Sequence, residues 1–157
     1  MVLSIKDNIL LFKVSNMNIK LQELSSDTTI VKHYIKDLSF ENLYDFNNQD
    51  FKKDNVKVSD DIRLVFQPYN DNHFSVLFKY SCDCLFVENE KRVFILEIDY
   101  FGLFKKNNMS NYSNDDLAKT GCIILYPILK PIIEYIAQNG APINITLTEP
   151  DLNLVKA

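Results

Sequence analysis

The sequence offers one closely spaced pair of side chains suited to metal chemistry, the cysteines Cys82 and Cys84. On an extended strand these two thiols would share one face, and a C-x-C pair can bind a soft metal ion. The remaining cysteine, Cys122, is distant in sequence, and no further pair has metal-ligand spacing. Buried, inert thiols are therefore the favoured interpretation, and we expect no metal and no cofactor.

The two histidines, His33 and His73, are the other candidates for catalytic chemistry. A catalytic base needs a nucleophile within hydrogen-bond reach and a third group that orients it. No such set is apparent in the sequence, so both histidines are interpreted as surface residues and no catalytic residue is expected. A small cytosolic enzyme stays open as an alternative.

Composition disfavours nucleotide and nucleic-acid binding. The chain contains three glycines, and neither a dinucleotide-binding glycine loop nor a P-loop spacing occurs. Its formal net charge is −4 and no basic block is present to follow phosphates, so nucleic acid is not an expected partner. An acidic surface is better suited to a basic partner protein.

The cysteine count and the apolar segments indicate a cytoplasmic protein. An odd number of cysteines without framework spacing is typical of free thiols in a reducing compartment. The first residues carry Asp7 and lack a long apolar region, so no signal peptide is predicted. The richest apolar stretch, residues 122–129, is short and contains Pro127, so no membrane insertion is expected.

Residues 1–29 are predicted to form an N-terminal extension ahead of a domain over residues 30–157. A 4-3-4-3 spacing of apolar residues favours an amphipathic helix that packs on the domain. A strand stays open as the alternative, because apolar residues also alternate near its middle. The spaced residues are Leu10, Val14, Met17, Leu21 and Leu24.

Four extended segments follow and predict an antiparallel sheet. The first is residues 31–40, and the second is residues 56–66, with a bend expected at Asp60 and a turn at residues 68–72. The third, residues 74–86, has the clearest period of two, and a polar turn at 88–91 leads to the fourth, residues 93–101. Gly102 and the polar run after it are expected to end the sheet.

A long helix is predicted from Ser113 or Asn114 to the Asn-Gly pair at residues 139–140. Pro127 and Pro131 inside it favour a kink. The helix is apolar around much of its circumference, more than one sheet face requires. We therefore expect it to pack on its own sheet on one side and on a second copy of the chain on the other. The predicted interface residues are Ile124, Leu125, Ile128 and Ile132.

Three stretches, in order, resemble the SecB family of protein-export chaperones. HYIKDLSFE at residues 33–41 is close to the family's YxKDxSFE signature, and FILEIDYFGLF at 94–104 looks like its strand ending in glycine and Phe. Residues 121–155 are similar to its helix and closing segment. The resemblance implies an α+β fold: a four-stranded antiparallel sheet with a long kinked helix packed on one face. It also implies a homotetramer built as a dimer of dimers.

The same resemblance implies a function and a partner site. Family members bind unfolded preproteins in apolar grooves without ATP and deliver them to the SecA ATPase through an acidic patch on the exposed sheet face. The positions that match this patch are Asp37, Glu41, Ile95 and Glu97. The apolar residues that we expect to line the client groove are Phe40, Tyr44, Phe46, Leu103, Phe104 and Leu152.

The sequence departs from the family pattern at three places. It has an N-terminal extension of about 20 residues, and Lys130 with Pro131 replaces the usual residues of the helix motif. It also ends near Ala157, before the lid-like second helix and polar tail of typical members. We expect the N-terminal amphipathic segment to take the place of the lid. The shortened end favours an alternative in which the chaperone serves a single partner, such as an antitoxin.

Overall fold

The structure is a computed structural model that describes residues 23–44, 53–140, 147 and 150–152. The sheet strands are β1 (Thr28–Asn42), β2 (Val56–Asn70), β3 (His73–Phe86) and β4 (Arg92–Lys106). The long helix is α1 (Asn114–Gly140), and short 3-10 turns span Lys53–Asn55 and Met109–Asn111.

The four strands form one antiparallel sheet in the order β1-β4-β3-β2. Tight turns join β2 to β3 and β3 to β4, whereas β1 and β2 form the two opposite edges of the sheet. The predicted fold class is confirmed: an α+β domain with a four-stranded antiparallel sheet and one long helix against it.

Two predicted details of the sheet are wrong. No bend occurs at Asp60, because β2 keeps an unbroken register with β3 from Val56 to Pro68. Gly102 does not end the sheet either, since β4 continues to Lys106. A Cβ atom at Gly102 would lie 2.9 Å from Leu125 Cδ2 of α1, so the glycine marks a close approach of the helix to the strand.

The core lies between α1 and one face of the sheet, which we call the helix face. Alternate residues of β3 point into it and are almost fully buried, as the predicted period of two requires. Gly121 of α1 packs closely against Val76, and the Tyr126 ring lies near that of Phe78, tilted to it, with ring centroids 6.3 Å apart. The β3 residues on this face are Phe74, Val76, Phe78, Tyr80, Cys82 and Cys84.

The start of α1 is fixed by a reciprocal cap. The Asp116 backbone N–H donates to Ser113 Oγ at 3.1 Å, and the Ser113 N–H donates back to Asp116 Oδ2 at 3.4 Å. The helix then runs continuously through Pro127 and Pro131, both of which are exposed. Each proline removes one backbone hydrogen-bond donor, which favours a bend in the helix. The kink at these two positions stays a prediction.

The long helix α1 extends beyond residues 122–129, the apolar stretch from which no membrane insertion was predicted. Its 27 residues are long and apolar enough to cross a membrane by length and composition. The predicted apolar stretch, residues 122–129, is the middle of this longer helix, because helical residues continue on both sides of it. Its packing against the sheet is that of a core helix, so its length alone gives no argument for a membrane.

The residues just before β1 are part of the packed domain. Leu24, placed by the sequence in the N-terminal extension, is 1% exposed. Its carbonyl accepts hydrogen bonds from Lys106 Nζ at 3.2 Å and Thr28 Oγ1 at 2.7 Å. Burial lowers the pKa of the Lys106 ammonium, which lies 5.0 Å from the centre of the Tyr112 ring. The rest of the predicted amphipathic stripe lies outside the described residues.

Candidate functional site

The sheet has a second face, turned away from α1, which we call the open face. On β4 it carries Ile95, Glu97, Asp99, Phe101 and Leu103, which alternate with the residues buried under the helix. Opposed residues of antiparallel strands point to the same side, so the strand register shows which side chains meet there.

The four residues matched to the SecA-type acidic patch lie together on the open face. Asp37 of β1 opposes Asp99 of β4, and Glu41 opposes Ile95. Glu97 lies between these two rows, opposite Ser39. Asp37, Glu41, Ile95 and Glu97 therefore occupy three consecutive rows of two neighbouring strands; we call this set the acidic patch.

Charges on the rest of the open face are mostly paired. Lys79 Nζ lies 2.8 Å from Asp99 Oδ2, and Arg63 Nε lies 2.9 Å from Asp61 Oδ2. Arg92 forms a bidentate ion pair with Asp83. Asp83 raises the pKa of the Arg92 guanidinium, and Glu41 and Glu97 of the acidic patch raise it less. Among the described residues, these pairs leave the acidic patch as a group of adjacent carboxylates that have no ion-pair partner.

Within the described residues, none of the acidic-patch carboxylates forms an ion pair. Asp37 Oδ1 accepts a hydrogen bond from the Leu38 backbone N–H at 2.9 Å, which holds the side chain near its own strand. Glu41 and Glu97 are exposed, and Arg92 lies close enough to be influenced by both. Exposed carboxylates in this arrangement attract basic side chains and orient a partner.

A half-open depression of about 340 Å³ lies on this charged part of the sheet. Four carboxylates and two cations line it, so its net formal charge is negative. Its lining consists of Asp37, Asp61, Arg63, Lys79, Tyr80, Ser81, Glu97 and Asp99. A depression of this polarity can accept a lysine or arginine side chain, and it has no apolar wall suited to a small apolar ligand.

An apolar row, not predicted from the sequence, crosses the open face beside the charged rows. Tyr34, Phe101, Leu77 and Val65 oppose one another across all four strands. The Tyr34 and Phe101 rings lie 5.1 Å apart, and Val65 is 51% exposed. Alternation along each strand predicts that these side chains lie on the open face. Their alignment in one row follows only from the register between the strands.

The six groove candidates do not form one surface. Phe40, Tyr44 and Leu152 are partly buried and pack against the core from the helix side. The Phe40 ring lies 6.0 Å from that of Phe94, and the Tyr44 ring lies 5.0 Å from that of Phe86. These three residues remain candidates for a client groove.

The other groove candidates are corrected or untested. Phe104 is fully buried and stacks on Phe74 with centroids 5.1 Å apart, so its side chain is core and is closed to a client. Leu103 points to the open face, opposite Ser75, because it precedes Phe104 by one residue on a regular strand. Phe46 lies outside the described residues.

The predicted helix interface is corrected at one position. Leu125 is fully buried against the sheet, close to Gly102, so it cannot reach a second copy of the chain. Ile124, Ile128 and Ile132 are partly buried along one flank of α1. Tyr135 near that flank is 69% exposed, so apolar surface is available along the helix.

The histidines form no catalytic set in the described residues. His33 Nδ1 lies 2.7 Å from the Tyr100 hydroxyl oxygen, and His73 Nδ1 lies 3.0 Å from Asn70 Oδ1. Burial raises the pKa of the Tyr100 hydroxyl, so this group is not an activated nucleophile. Both contacts join surface histidines to neighbouring polar groups.

The cysteines are buried thiols. Burial raises the pKa of Cys82 and Cys84 to about 11 and that of Cys122 to about 12. A thiol that is protonated at neutral pH is a poor metal ligand and nucleophile. Across the described part of the chain, no three His, Cys, Asp or Glu side chains cluster in a way that could hold a metal.

Comparison with known proteins decides the family. A family model described as preprotein translocase subunit SecB matches residues 21–154, which include all four strands and the helix. The chain belongs to the SecB family. The predicted family is confirmed, and its members are protein-export chaperones rather than enzymes.

Two curated relatives are the protein-export protein SecB of Orientia tsutsugamushi, strains Boryong and Ikeda. Each is 32% identical to this chain over 111 residues, or 68% of this chain. The matched part covers 67% of the first relative and 65% of the second. Because about a third of each SecB relative is unmatched, its activity is carried over only as a proposal.

A solved SecB-like chaperone shares the fold. It is from Mycobacterium tuberculosis, in complex with an antitoxin peptide, and aligns with a TM-score of 0.63. The alignment covers 86% of this chain and 99% of that chain at 12% identity. At this identity the likeness establishes the fold and nothing finer.

Proposed function

We propose that this SecB-family chain is an ATP-independent cytoplasmic chaperone that binds unfolded preproteins, keeps them competent for export and delivers them to a SecA-like ATPase. Family membership supports the chaperone role. The observation that carries delivery is the grouping of Asp37, Glu41 and Glu97 on the sheet face that α1 leaves open.

Client holding is proposed for the helix side of the domain, where Phe40, Tyr44 and Leu152 are partly exposed at the rim of the core. A chaperone with many clients needs adaptable apolar surface rather than a shaped pocket. Burial of apolar area contributes about 25 cal/mol per Å², so a few hundred Å² would contribute several kcal/mol before ordering costs. No nucleotide is needed for such binding.

Self-assembly is proposed as a homotetramer, a dimer of dimers, through the flank of α1 that carries Ile124, Ile128 and Ile132. Partly exposed isoleucines at a spacing of four residues form a continuous apolar stripe on a helix. A second copy would bury this stripe, and repeated grooves in one oligomer would strengthen the binding of a long client.

Delivery is proposed to depend on charge. The acidic patch would attract basic side chains of the ATPase and set its orientation, while Ile95 supplies an apolar contact among the carboxylates. Such contacts are screened by salt, so binding of the ATPase should weaken as ionic strength rises.

The first test is light scattering of a chemically denatured, aggregation-prone protein diluted with and without this chain, beside the native mass of the chain. We expect suppressed aggregation without ATP, and a mass four times that of one chain. A monomer that leaves aggregation unchanged would refute both the holding role and the assembly.

A second candidate is a SecB-like chaperone dedicated to one partner, such as an antitoxin. The antitoxin peptide bound by the M. tuberculosis protein of the same fold motivates it. The same light-scattering test separates the two candidates, because a general chaperone protects unrelated clients at similar concentrations. A dedicated one would protect its own partner and leave the others to aggregate.

A further inference from the structure

The charge of the open face changes sign along the length of its strands. The apolar row that contains Phe101 crosses the middle of the face. On one side of it, Asp37 lies in the next row and Glu97 in the row after that. On the other side, Lys32 and Lys105 take the same two places. The open face therefore has an acidic end and a basic end, with an apolar row between them.

The two ends carry matched charges. The four side chains at these places are exposed, and none of them forms an ion pair among the described residues. Lys32 Nζ lies 5.3 Å from the centre of the Tyr34 ring, so this cation borders the apolar row. The remaining Lys, Arg and Asp side chains in the same rows pair with one another, at 2.8 and 2.9 Å. Two carboxylates at one end thus correspond to two cations at the other.

Two such faces are complementary about a twofold axis that runs along the apolar row, across the strands. This axis places each apolar row on its own copy and exchanges the two ends. Asp37 then opposes Lys32 of the second copy, because both are on β1, one row from the axis. Glu97 opposes Lys105 of the second copy, because both are on β4, two rows from the axis. A twofold axis along the strands would instead place like charges together.

We propose that a second copy of this chain covers the open face, with the two faces stacked about the axis along the apolar row. We call this arrangement the stack. It places the acidic patch of each copy against the cations of the other, so it excludes the ATPase while it lasts; this consequence rests on the proposed delivery role. The stack leaves the flank of α1 free, because α1 lies on the other side of the sheet, and it would join assembled tetramers to one another.

The size of the open face suits a contact that forms and separates. From Ile95 to Lys105, at about 3.3 Å per residue, and across four strands about 4.8 Å apart, the face measures about 600 Å² per copy. The total for two copies, about 1,200 Å², is at the lower limit for specific interfaces. Facing sheets pack about 10 Å apart, a gap that a lysine side chain can cross toward a carboxylate. We therefore expect reversible association that weakens as salt screens the charges.

Two opposite charge reversals in the full chain test the stack. Asp37→Lys with Glu97→Lys makes both ends of the face basic, and Lys32→Glu with Lys105→Glu makes both ends acidic. Each variant alone should repel its own copies and raise the dissociation constant of the stack at least tenfold. An equimolar mixture of the two should restore the stack, because every opposed pair then joins a lysine to a carboxylate.

Sedimentation velocity at low and high salt measures the association. The unchanged chain should form a species of twice the mass of its basic assembly at low salt and lose it at high salt. Glu41→Lys is the matched control: Glu41 lies three rows from the axis, beyond both lysines of the second copy, so the stack should change little. Thermal melts would check that all variants fold. A mixture of folded variants that stays apart, or an equal loss with Glu41→Lys, would overturn the proposal.

The outcomes also separate this proposal from the proposed function. A chain that suppresses aggregation and binds the ATPase, yet forms no salt-sensitive stack, keeps its proposed function and loses only the stack. A stack that the mixture restores, in a chain that binds no ATPase, is retained while the delivery role is refuted. Where both occur, added ATPase should dissolve the stack, and a stack that persists with the ATPase bound would overturn the masking of the acidic patch.

Discussion

The helix face and the open face of the sheet are built from the same strands but differ in what their side chains contact. On the helix face, Phe78, Leu96 and Ile98 are fully buried, and the helix fits tightly enough to require glycine at residues 102 and 121. On the open face, charged residues pair within one strand or with the neighbouring strand, and they remain partly exposed. The comparison indicates that stability resides on one face, while the other is free to specify a partner.

The largest expected effect is a core truncation on the helix face. Phe78→Ala removes a fully buried ring beside Tyr126 and should lower the free energy of unfolding by about 3–5 kcal/mol. Phe101→Ala on the open face is the control and should cost about 1 kcal/mol, because its ring is only partly buried. Urea denaturation measures both, and similar losses would contradict the contrast between the faces.

Alkaline pH should destabilise the domain through the thiols buried between α1 and the sheet. Burial raises the pKa of Cys82 and Cys84 to about 11 and that of Cys122 to about 12, so the folded state keeps protons that the unfolded state releases above pH 9. The free energy of unfolding should therefore fall as pH rises from 9 to 11, by about 1.4 kcal/mol per pH unit for each thiol.

Urea denaturation at pH 8, 9 and 10 checks this prediction. Cys122→Ala is the internal control, because it removes one of the three thiols and should make the pH dependence less steep. A flat profile between pH 9 and 10 would mean that the thiols are in contact with water.

A smaller loss is expected from Gly121→Ala in α1. The added Cβ would lie 2.5 Å from Val76 Cγ2 and 3.2 Å from a Phe104 ring atom, so either the helix or β3 must shift. Overpacking of this kind costs about 1–3 kcal/mol. Gly140→Ala is the control: its Cβ would meet only the Phe40 ring, which is partly exposed and can turn away. An equal or larger loss at Gly140 would contradict the close packing inferred at Gly121.

These helix-face contacts show how far sequence alone could go. The period of two in β3 predicts its buried side chains correctly, because that alternation is local. The role of Gly102 was missed, since Leu125 approaches it from a distant helix. Leu125 was assigned to the wrong side of α1 because the helix is apolar on several sides, and sequence spacing does not fix its rotation on the sheet.

The candidate site, like the core, could be predicted from the sequence only where local alternation determines which way a side chain points. Glu97 and Ile95 could be placed on one strand face from alternation, but their position beside Asp37 and Glu41 depends on the pairing of β1 with β4. That pairing includes two register shifts, which no local pattern in β1 reveals. Family resemblance named the four residues, whereas the apolar row and the ion pairs around them emerge only from the register.

The smallest stability effect is expected on the open face. Lys79→Gln breaks the ion pair with Asp99, whose atoms lie 2.8 Å apart, and should cost no more than about 1 kcal/mol because both side chains are partly exposed. Chemical denaturation at low and high salt measures it. A loss of several kcal/mol would show that this face contributes to stability as the helix face does.

The most direct test of the account is a double charge reversal in the acidic patch, Asp37→Lys with Glu97→Lys, scored for binding of a SecA-type ATPase and for suppression of aggregation. The matched control is Asp71→Lys with Glu88→Lys, which makes the same change of charge in two exposed turns. We predict that the patch variant loses most of its affinity for the ATPase, while its melting temperature and its client holding stay close to those of the unchanged chain. Equal ATPase binding by patch variant and control, or loss of client holding by a folded patch variant, would contradict the assignment of separate roles to the two faces.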